Sequence, residues 1–422
     1  MAESVRLESN LQEKLDYSEM YPYDLYSNMR KHGDLVRMGE SWLAVGYDAV
    51  QQIFVDRRFE AVHPSETIPN MILGDMNWLV QAVLKPPLKF IINRQTQMKM
   101  TRDWIIFQNP PDHTRIRRLA QEAFTPKAIE AMRPKIAKIT NDLLDLLESK
   151  SSFDLVEEFA YPLPIAMIAE VLGLSEDNSR EFKGWSKDII RGFSFDSSDS
   201  EVRERAKTAI EGTVNIFKEE IDYRQDHRGD DVISNLLNAK QEDEAISEDE
   251  MISNLILLLI AGHETTVNLI TNTIYALLTN PEQFEMLKND HSLLDNTIEE
   301  SLRFDPPLTV TSRKAAEDID LQGYHIEAGS MIQVCIYGAN RDPSKFENPD
   351  SFEITRSNSR RHLAFGKGIH YCLGAPLARA EADIAFSEII KRFPDMRLDP
   401  ENHPKRKDSY PFSTFESFKI LK

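Results

Sequence analysis

Apolar residues recur at the helical period over 46–55, 112–122, 126–149, 162–172, 201–224, 247–278, 281–288, 293–303 and 376–392. Strand-like patterning is confined to two regions. Residues 35–46 read as a short hairpin turning at Gly39, and Tyr324 to Ile336 read as a second strand region with a turn at Ala328-Gly329. No repeat, low-complexity tract or Pro/Gly/Ser linker divides the chain. The pattern predicts one domain over 1–422, mainly α with a smaller β portion packed on it.

The segment 247–278 stands apart. Ser247 followed by Glu250 fits a capping box, and Asn280-Pro281 closes the run. Between them M-I-S-N-L-I-L-L-L-I-A-G is apolar almost all round, the mark of a helix buried on every side. Unbroken, it would span about 48 Å. In its middle sits His263-Glu264-Thr265-Thr266. Buried polar groups cost a few kcal/mol unless partnered, so this patch is either a hydrogen-bonded core feature or a functional one. A zinc-protease motif is excluded because position 267 is Val where a second His is needed. The glycines offer no nucleophile elbow and no phosphate loop, and Gly366-x-Gly368 lacks the third Gly of a dinucleotide fingerprint.

Composition narrows the classes. The 422 residues carry 50 basic and 69 acidic side chains, a net charge of −19, which argues against nucleic acid as a partner. A hydrophobic share of 41% is enough for a large core. Two cysteines, Cys335 and Cys372, make no disulfide framework and point to a reducing, cytoplasmic setting. The N-terminus has no apolar signal core, and the longest greasy run, Leu255 to Gly262, is far shorter than a membrane span, so no membrane partner is expected.

Residues 362–379 read H-L-A-F-G-K-G-I-H-Y-C-L-G-A-P-L-A-R. Phe365, Gly366 and Gly368 make a glycine-bent loop ending at Cys372, and Gly374 and Pro376 open a helix. A cysteine at a helix start is expected to be stabilised as thiolate. One thiolate without further Cys or His ligands suits a metal that already has four equatorial ligands, which is haem iron. Cys335, among Val334 and Ile336, reads instead as an inert core residue.

The sequence resembles the cytochrome P-450 family of haem-thiolate monooxygenases over nearly the whole chain. F-G-K-G-I-H-Y-C-L-G is similar to the family's cysteine loop, A-G-H-E-T-T at 261–266 to its central-helix motif, and Glu300-Ser301-Leu302-Arg303 to its E-x-x-R. P-P-D-H-T-R-I-R-R at 110–118, A-N-R-D-P at 339–343 and N-P-D-S-F-E-I-T-R at 348–356 have a soluble bacterial flavour.

The resemblance implies a long central helix over haem b, with Cys372 as the iron's axial thiolate and Phe365, Gly366 and Gly374 shaping its loop. It implies that Thr265 hydrogen-bonds the activated oxygen, that Glu264 relays protons through water, and that small Ala261 and Gly262 leave room and let the helix bulge. It puts His113, Arg117, Arg313 and His362 on the haem propionates, with His370 near that edge. Glu300 and Arg303, with Arg356, are implied to be a structural lock. The implied pocket includes Val83, Leu84, Phe90, Phe193, Leu258, Ala261, Val310 and Phe412, an apolar lining suited to a polyketide, terpenoid, steroid or fatty acid.

The implied reaction is insertion of one oxygen atom from O2. The alternatives are a peroxide-using peroxygenase of the same fold and a non-enzymatic haem sensor or carrier; neither accounts for Glu264-Thr265. No flavin or iron–sulfur motif is present, so electrons are expected from a ferredoxin or flavodoxin and its reductase, docked on Arg117-Arg118, Lys127, Arg360-Arg361 and Lys367. From Lys85 to Arg102 there are Lys85, Lys89, Arg94, Lys99 and Arg102 and no acid, which suits a carboxylate substrate or an acyl group on an acidic carrier protein.

Overall fold

The computed structural model describes residues 22–39, 41–63, 66, 101–193, 200–241, 246–409 and 411–422. Val83, Leu84 and Phe90, and the cations Lys85, Lys89, Arg94 and Lys99, lie outside the described residues. The helices are α1 (Pro22–Arg30), α2 (Tyr47–Val55), α3 (Asp112–Gln121), α4 (Pro126–Glu148), α5 (Pro162–Leu172), α6 (Glu176–Phe193), α7 (Ser200–Asp226), α8 (Val232–Gln241), α9 (Glu248–Thr279), α10 (Pro281–Asn289), α11 (Leu294–Phe304), the single turn α12 (Ile336–Ala339) and α13 (Ala375–Arg392).

Helix α9 is the axis of the core. The Ser247 hydroxyl accepts from the Glu250 amide at 3.1 Å, and the Glu250 carboxylate accepts from the Ser247 amide at 2.8 Å, so the expected capping box is formed. The helix then runs 32 residues without a π turn; no bulge marks Ala261-Gly262. By length and composition it could cross a membrane, but 67% of its most apolar window is buried inside the fold, so it is a core helix. Leu255, Ile256, Leu259, Ile270, Ile274 and Leu277 are buried, and α9 packs on α5, α11 and α13.

The strands are β1 (Leu35–Met38), β2 (Ser41–Ala44), β3 (Phe59–Glu60), β4 (Ser152–Asp154), β5 (Val310–Ala315), β6 (Ile319–Leu321), β7 (Tyr324–Ile326), β8 (Met331–Cys335), β9 (Arg397–Leu398), β10 (Lys405–Ser409), β11 (Phe412–Ser417) and β12 (Lys419–Leu421). The main sheet has the order β1-β2-β8-β5-β3, with β2 and β8 parallel. The first hairpin forms as expected, with Gly39 at φ +60°.

The second strand region is arranged differently from its expectation. β7 and β8 do not pair across Ala328-Gly329. β7 turns back on β6 through Gln322 and Gly323, both at positive φ, while β8 inserts between β2 and β5. Apolar contacts of Ile332 and Val334 with Trp42, Ala44 and Ile53 favour that register, and the same cluster holds Leu363 at the entry to the cysteine loop.

Candidate active site

The cysteine loop is built from main-chain bonds. The Gly366 amide donates to the Leu363 carbonyl at 2.8 Å and the Cys372 amide to the Phe365 carbonyl at 2.9 Å. Gly366 and Gly368 take φ +66° and +70°. At Gly368 an added Cβ would lie 2.4 Å from the Phe54 carbonyl oxygen, whereas at Gly366 its nearest neighbour would be 3.8 Å away. Gly368→Ala therefore carries a backbone clash on top of the left-handed cost of about 1–2 kcal/mol, and Gly366→Ala carries only that cost. Urea unfolding should rank Gly368→Ala clearly below Gly366→Ala; equal losses would show that α2 gives way freely.

Cys372 is half-buried just before α13, with Pro376 in the helix's first turn. In the protein alone, burial outweighs the helix start: it pushes the thiol above its ordinary value. The Gly374 and Ala375 amides, Arg117 and Arg379 pull it back. The helix amides thus act in the expected direction without dominating. Cys335 is fully buried, accepts from the Gly338 amide at 3.1 Å, and is pushed up to about 12 by burial, an inert thiol as read from its strand.

Beside the loop lies a group of basic side chains. The His113 and His370 rings stand 4.2 Å apart, and the Nε2 atom of each is buried with no hydrogen-bond partner among the described residues. Burial, then Arg117 and Arg313, depress His113 to about 4. Burial, Arg313, His113 and Arg117 depress His370 to about 3, so both rings are neutral at pH 7. Arg117 donates to the Tyr371 carbonyl at 2.6 Å. Arg313 lies over the Phe54 ring at 5.6 Å and is 7% exposed, and burial pushes it down to about 10. Among the described residues neither arginine has an ion pair. A partly buried cluster of donors without an acid is a receptor for an anion.

The polar turn of α9 divides by face. Leu258, Ala261, Glu264 and Thr265 are partly or fully open to solvent in an otherwise buried stretch. Thr265 donates its hydroxyl to the Ala261 carbonyl at 2.7 Å, and Thr266 does the same to Gly262 at 3.0 Å. His263 and Thr266 point away into the core.

Two carboxylates on α11 lock the framework. Glu300 and Arg303, both fully buried, meet through two bonds of 2.7 and 2.8 Å, and Arg356 reaches both Glu300 oxygens at 3.1 Å. Arg303 also donates to the carbonyls of Asn340, Pro349 and Ser351. This is the lock the E-x-x-R pattern implied.

The neighbouring Glu299 was not singled out by the sequence. It accepts from Arg379 at 2.6 and 3.0 Å and from His362 Nε2 at 3.0 Å. Burial opposes its charge, but the His362 and Arg379 bonds hold it at about 2. The other His362 nitrogen, Nδ1, accepts from the Ala364 amide at 3.1 Å. Both ring nitrogens of His362 are thus engaged by protein, so an anion could gain a bond from this ring only by displacing Glu299. Arg379 in turn lies 4.5 Å over the Phe365 ring. The only sequence sign of this network was position: Glu299 precedes Glu300, and Arg379 ends the cysteine segment.

Of the expected pocket residues, Leu258 and Phe412 are half-buried and Val310 is buried. The segments 307–311 and 411–413 are tied together, with Ser413 donating to Pro307 and Thr309 to Pro411. Phe193 ends α6, which packs on α9.

The profile of the family described as Cytochrome P-450 matches residues 80–417. The chain is 39% identical over 394 residues to the Cytochrome P450 CYP107DY1 of Priestia megaterium, covering 92% of this chain and 90% of that one. It is 36% identical over 360 residues to the 6-deoxyerythronolide B hydroxylase of Saccharopolyspora erythraea, covering 85% and 84%. A solved structure of P450BioI, in complex with an acyl carrier protein bearing hexadec-9Z-enoic acid, superposes with a TM-score of 0.81 at 34% identity, covering 95% of this chain and 98% of that one.

Proposed function

Because the chain belongs to the cytochrome P-450 family, whose members are oxygen-incorporating oxidoreductases built on haem b, we propose that Cys372 holds the haem iron and that the enzyme oxidises a mid-sized to large apolar substrate. The observation that carries this reading is the acid-free receptor of His113, His370, Arg117 and Arg313 beside the Cys372 loop. The two arginines stay charged and suit the propionates of haem; the neutral histidines each offer a nitrogen that lacks a partner. Phe365, Gly366 and Gly374 would shape the loop that holds the cofactor, and the small side chain of Ala261 would leave room for it.

Haem b supplies oxygen activation, and the thiolate's electron donation favours O–O cleavage. The chain's own part is proton handling and exclusion of water. Thr265 Oγ1 donates a hydrogen bond to the Ala261 carbonyl, so its oxygen is free to accept one, and the hydroxyl can turn to donate elsewhere. Glu264, one residue before it, passes protons toward that hydroxyl through water. Leu258, Val310 and Phe412 keep the surroundings apolar.

Thr265→Ala should keep haem and ligand binding but lower product formed per reductant about tenfold or more, with the missing oxygen recovered as peroxide. Native yield in this variant would make the polar turn merely structural.

The substrate class rests on the apolar lining and on what related proteins handle by name: 6-deoxyerythronolide B for the hydroxylase and hexadec-9Z-enoic acid on an acyl carrier protein for P450BioI. Spin-state titration with hexadec-9Z-enoic acid, free and carrier-linked, against a steroid and a macrolide tests it. Electrons come from a ferredoxin or flavodoxin with its reductase. Exposed Arg118, Lys127, Arg361 and Lys367 give a basic docking face, and exposed Val55 and Tyr371 give it an apolar centre. The place of work is the cytoplasm.

A further inference from the structure

His263 lies between Gly262 and Glu264, yet its side chain leaves the reactive face altogether. It is fully buried, and its Nε2 lies 3.2 Å from the Tyr161 carbonyl oxygen. A carbonyl only accepts, so Nε2 carries the proton. Burial holds the ring's pKa down to about 3, so it is neutral, and Nδ1 is left without a partner among the described residues. A phenyl ring would fill this site without leaving that orphan, so packing alone does not account for a histidine here. The Tyr161 ring stacks edge-on against the imidazole at 4.2 Å. One residue earlier, Gly262 is so close to α5 that a Cβ would meet Ile168 Cδ1 at 3.2 Å.

Tyr161 also reaches α6. Its hydroxyl lies 3.1 Å from Ser186 Oγ, and Ser186 donates onward to the Lys183 carbonyl at 2.8 Å, so Tyr161 is the donor of the pair. Ser186 is itself fully buried. A continuous polar chain therefore runs from α6, which carries Phe193 at its end, through Tyr161 to the turn of α9 that bears Glu264 and Thr265.

We propose that His263 is a positioning residue: its Nε2–H bond to Tyr161 fixes the rotation of the Glu264–Thr265 turn and ties that rotation to the position of α6. The proposal rests on the proton-delivery reading of Glu264 and Thr265. Helix α9 donates this bond at a point where Thr265 and Thr266 already lean on its own carbonyls, an arrangement that loosens and bends helices. An external anchor at that point sets which way the turn faces. Binding that shifts α6 would then be felt at the proton-delivering pair without any contact between ligand and His263.

The test uses the haem-loaded protein and the variants His263→Phe, which keeps ring volume, and His263→Gln, which keeps a donor at the Nε2 position. Hydrogen exchange of amides 261–266 should quicken about tenfold in His263→Phe and stay within about twofold of native in His263→Gln. Product per reductant, read with hexadec-9Z-enoic acid or with whichever tested ligand gives the larger spin-state shift, should fall at least threefold in His263→Phe and be kept in His263→Gln, with KM little changed. Native exchange and native yield in His263→Phe overturn the proposal, as does equal damage in both variants, which would make ring shape the cause.

Thr265→Ala run alongside separates the failures. If it keeps native yield, the proton-delivery reading falls; if it uncouples while His263→Phe does not, only the positioning role falls. If His263→Phe does not load haem, Ser186→Ala decides. In the native protein a saturating ligand should slow exchange at 261–266, and Ser186→Ala should abolish that slowing. Undiminished slowing overturns the link.

Discussion

Arg303→Met should leave little folded, haem-loaded protein. The methionine approximates the volume of the arginine stem but supplies none of its donors. Glu300, fully buried, would keep only Arg356 and the Glu353 amide, the carbonyls of Asn340 and Pro349 would lose the Arg303 donor, and Ser351 would keep only its 3.2 Å bond from Arg356. Breaking one side of a buried ion pair costs about 3–5 kcal/mol, and the orphaned carbonyls add to it. A domain is stable by only about 5–15 kcal/mol, so most of that margin goes. Urea unfolding and the ratio of haem to protein absorbance check the result. Adding Glu300→Leu should recover little, because buried Arg356 is then left with only its longer, 3.5 Å ion pair to partly exposed Glu353. A loss below about 1 kcal/mol in the single variant would mean that Arg356 alone holds Glu300.

Cys372→Ser should do the opposite: keep the fold and lose the chemistry. The loop is held mainly by main-chain bonds such as the Cys372 amide on Phe365 and the Gly366 amide on Leu363, and a serine oxygen can take over the Gly374 and Ala375 amides that face the sulfur. Thermal unfolding should shift by only a few degrees, as befits about 1 kcal/mol or less. The reduced protein with carbon monoxide should show the strongly red-shifted Soret band of thiolate ligation in the native form and not in the variant, and turnover should drop by a factor of about 100 or more, since the sulfur's electron donation is lost. A native band in Cys372→Ser would remove Cys372 from the iron, and a histidine-type spectrum in the native form would remove the whole assignment.

Much of this was legible from local pattern. The capping box and all-round apolar run gave α9 to within a residue at each end, because both signals are local. Gly39 and the Gly366–Gly368 bend were readable because left-handed φ selects glycine. Helix α6 was missed: among its described side chains Phe182, Ser186 and Ile189 form the buried stripe, and Gly184 and many charges dilute the period. The partners of β7 were misjudged because a strand's alternation shows its buried face and not its neighbour. Glu299 and Arg379 were invisible because a buried charge looks like a surface charge until its partner, 80 residues away, is seen. The basic cluster came from resemblance, since nothing in spacing joins Arg313 to His113.

The parallel pairing of β2 with β8 also sets a timetable for assembly. Ser41–Ala44 must wait for Met331–Val334, about two thirds of the chain away, and among the described residues β8 is the strand that holds β2 to the rest of the main sheet. At about 5–20 residues per second the ribosome takes about 15–60 s to deliver that partner, long against the microseconds in which a hairpin forms. During that interval β1 and β2 stand as a hairpin whose Trp42 and Leu43, on opposite faces, lack their later partners, Ile332 and Val334 on one side and Cys335 and Tyr337 on the other. High contact order of this kind slows folding and exposes sticky edges. Yield from a fast expression host should therefore depend on slowing synthesis or supplying chaperones more than on any property of the finished molecule.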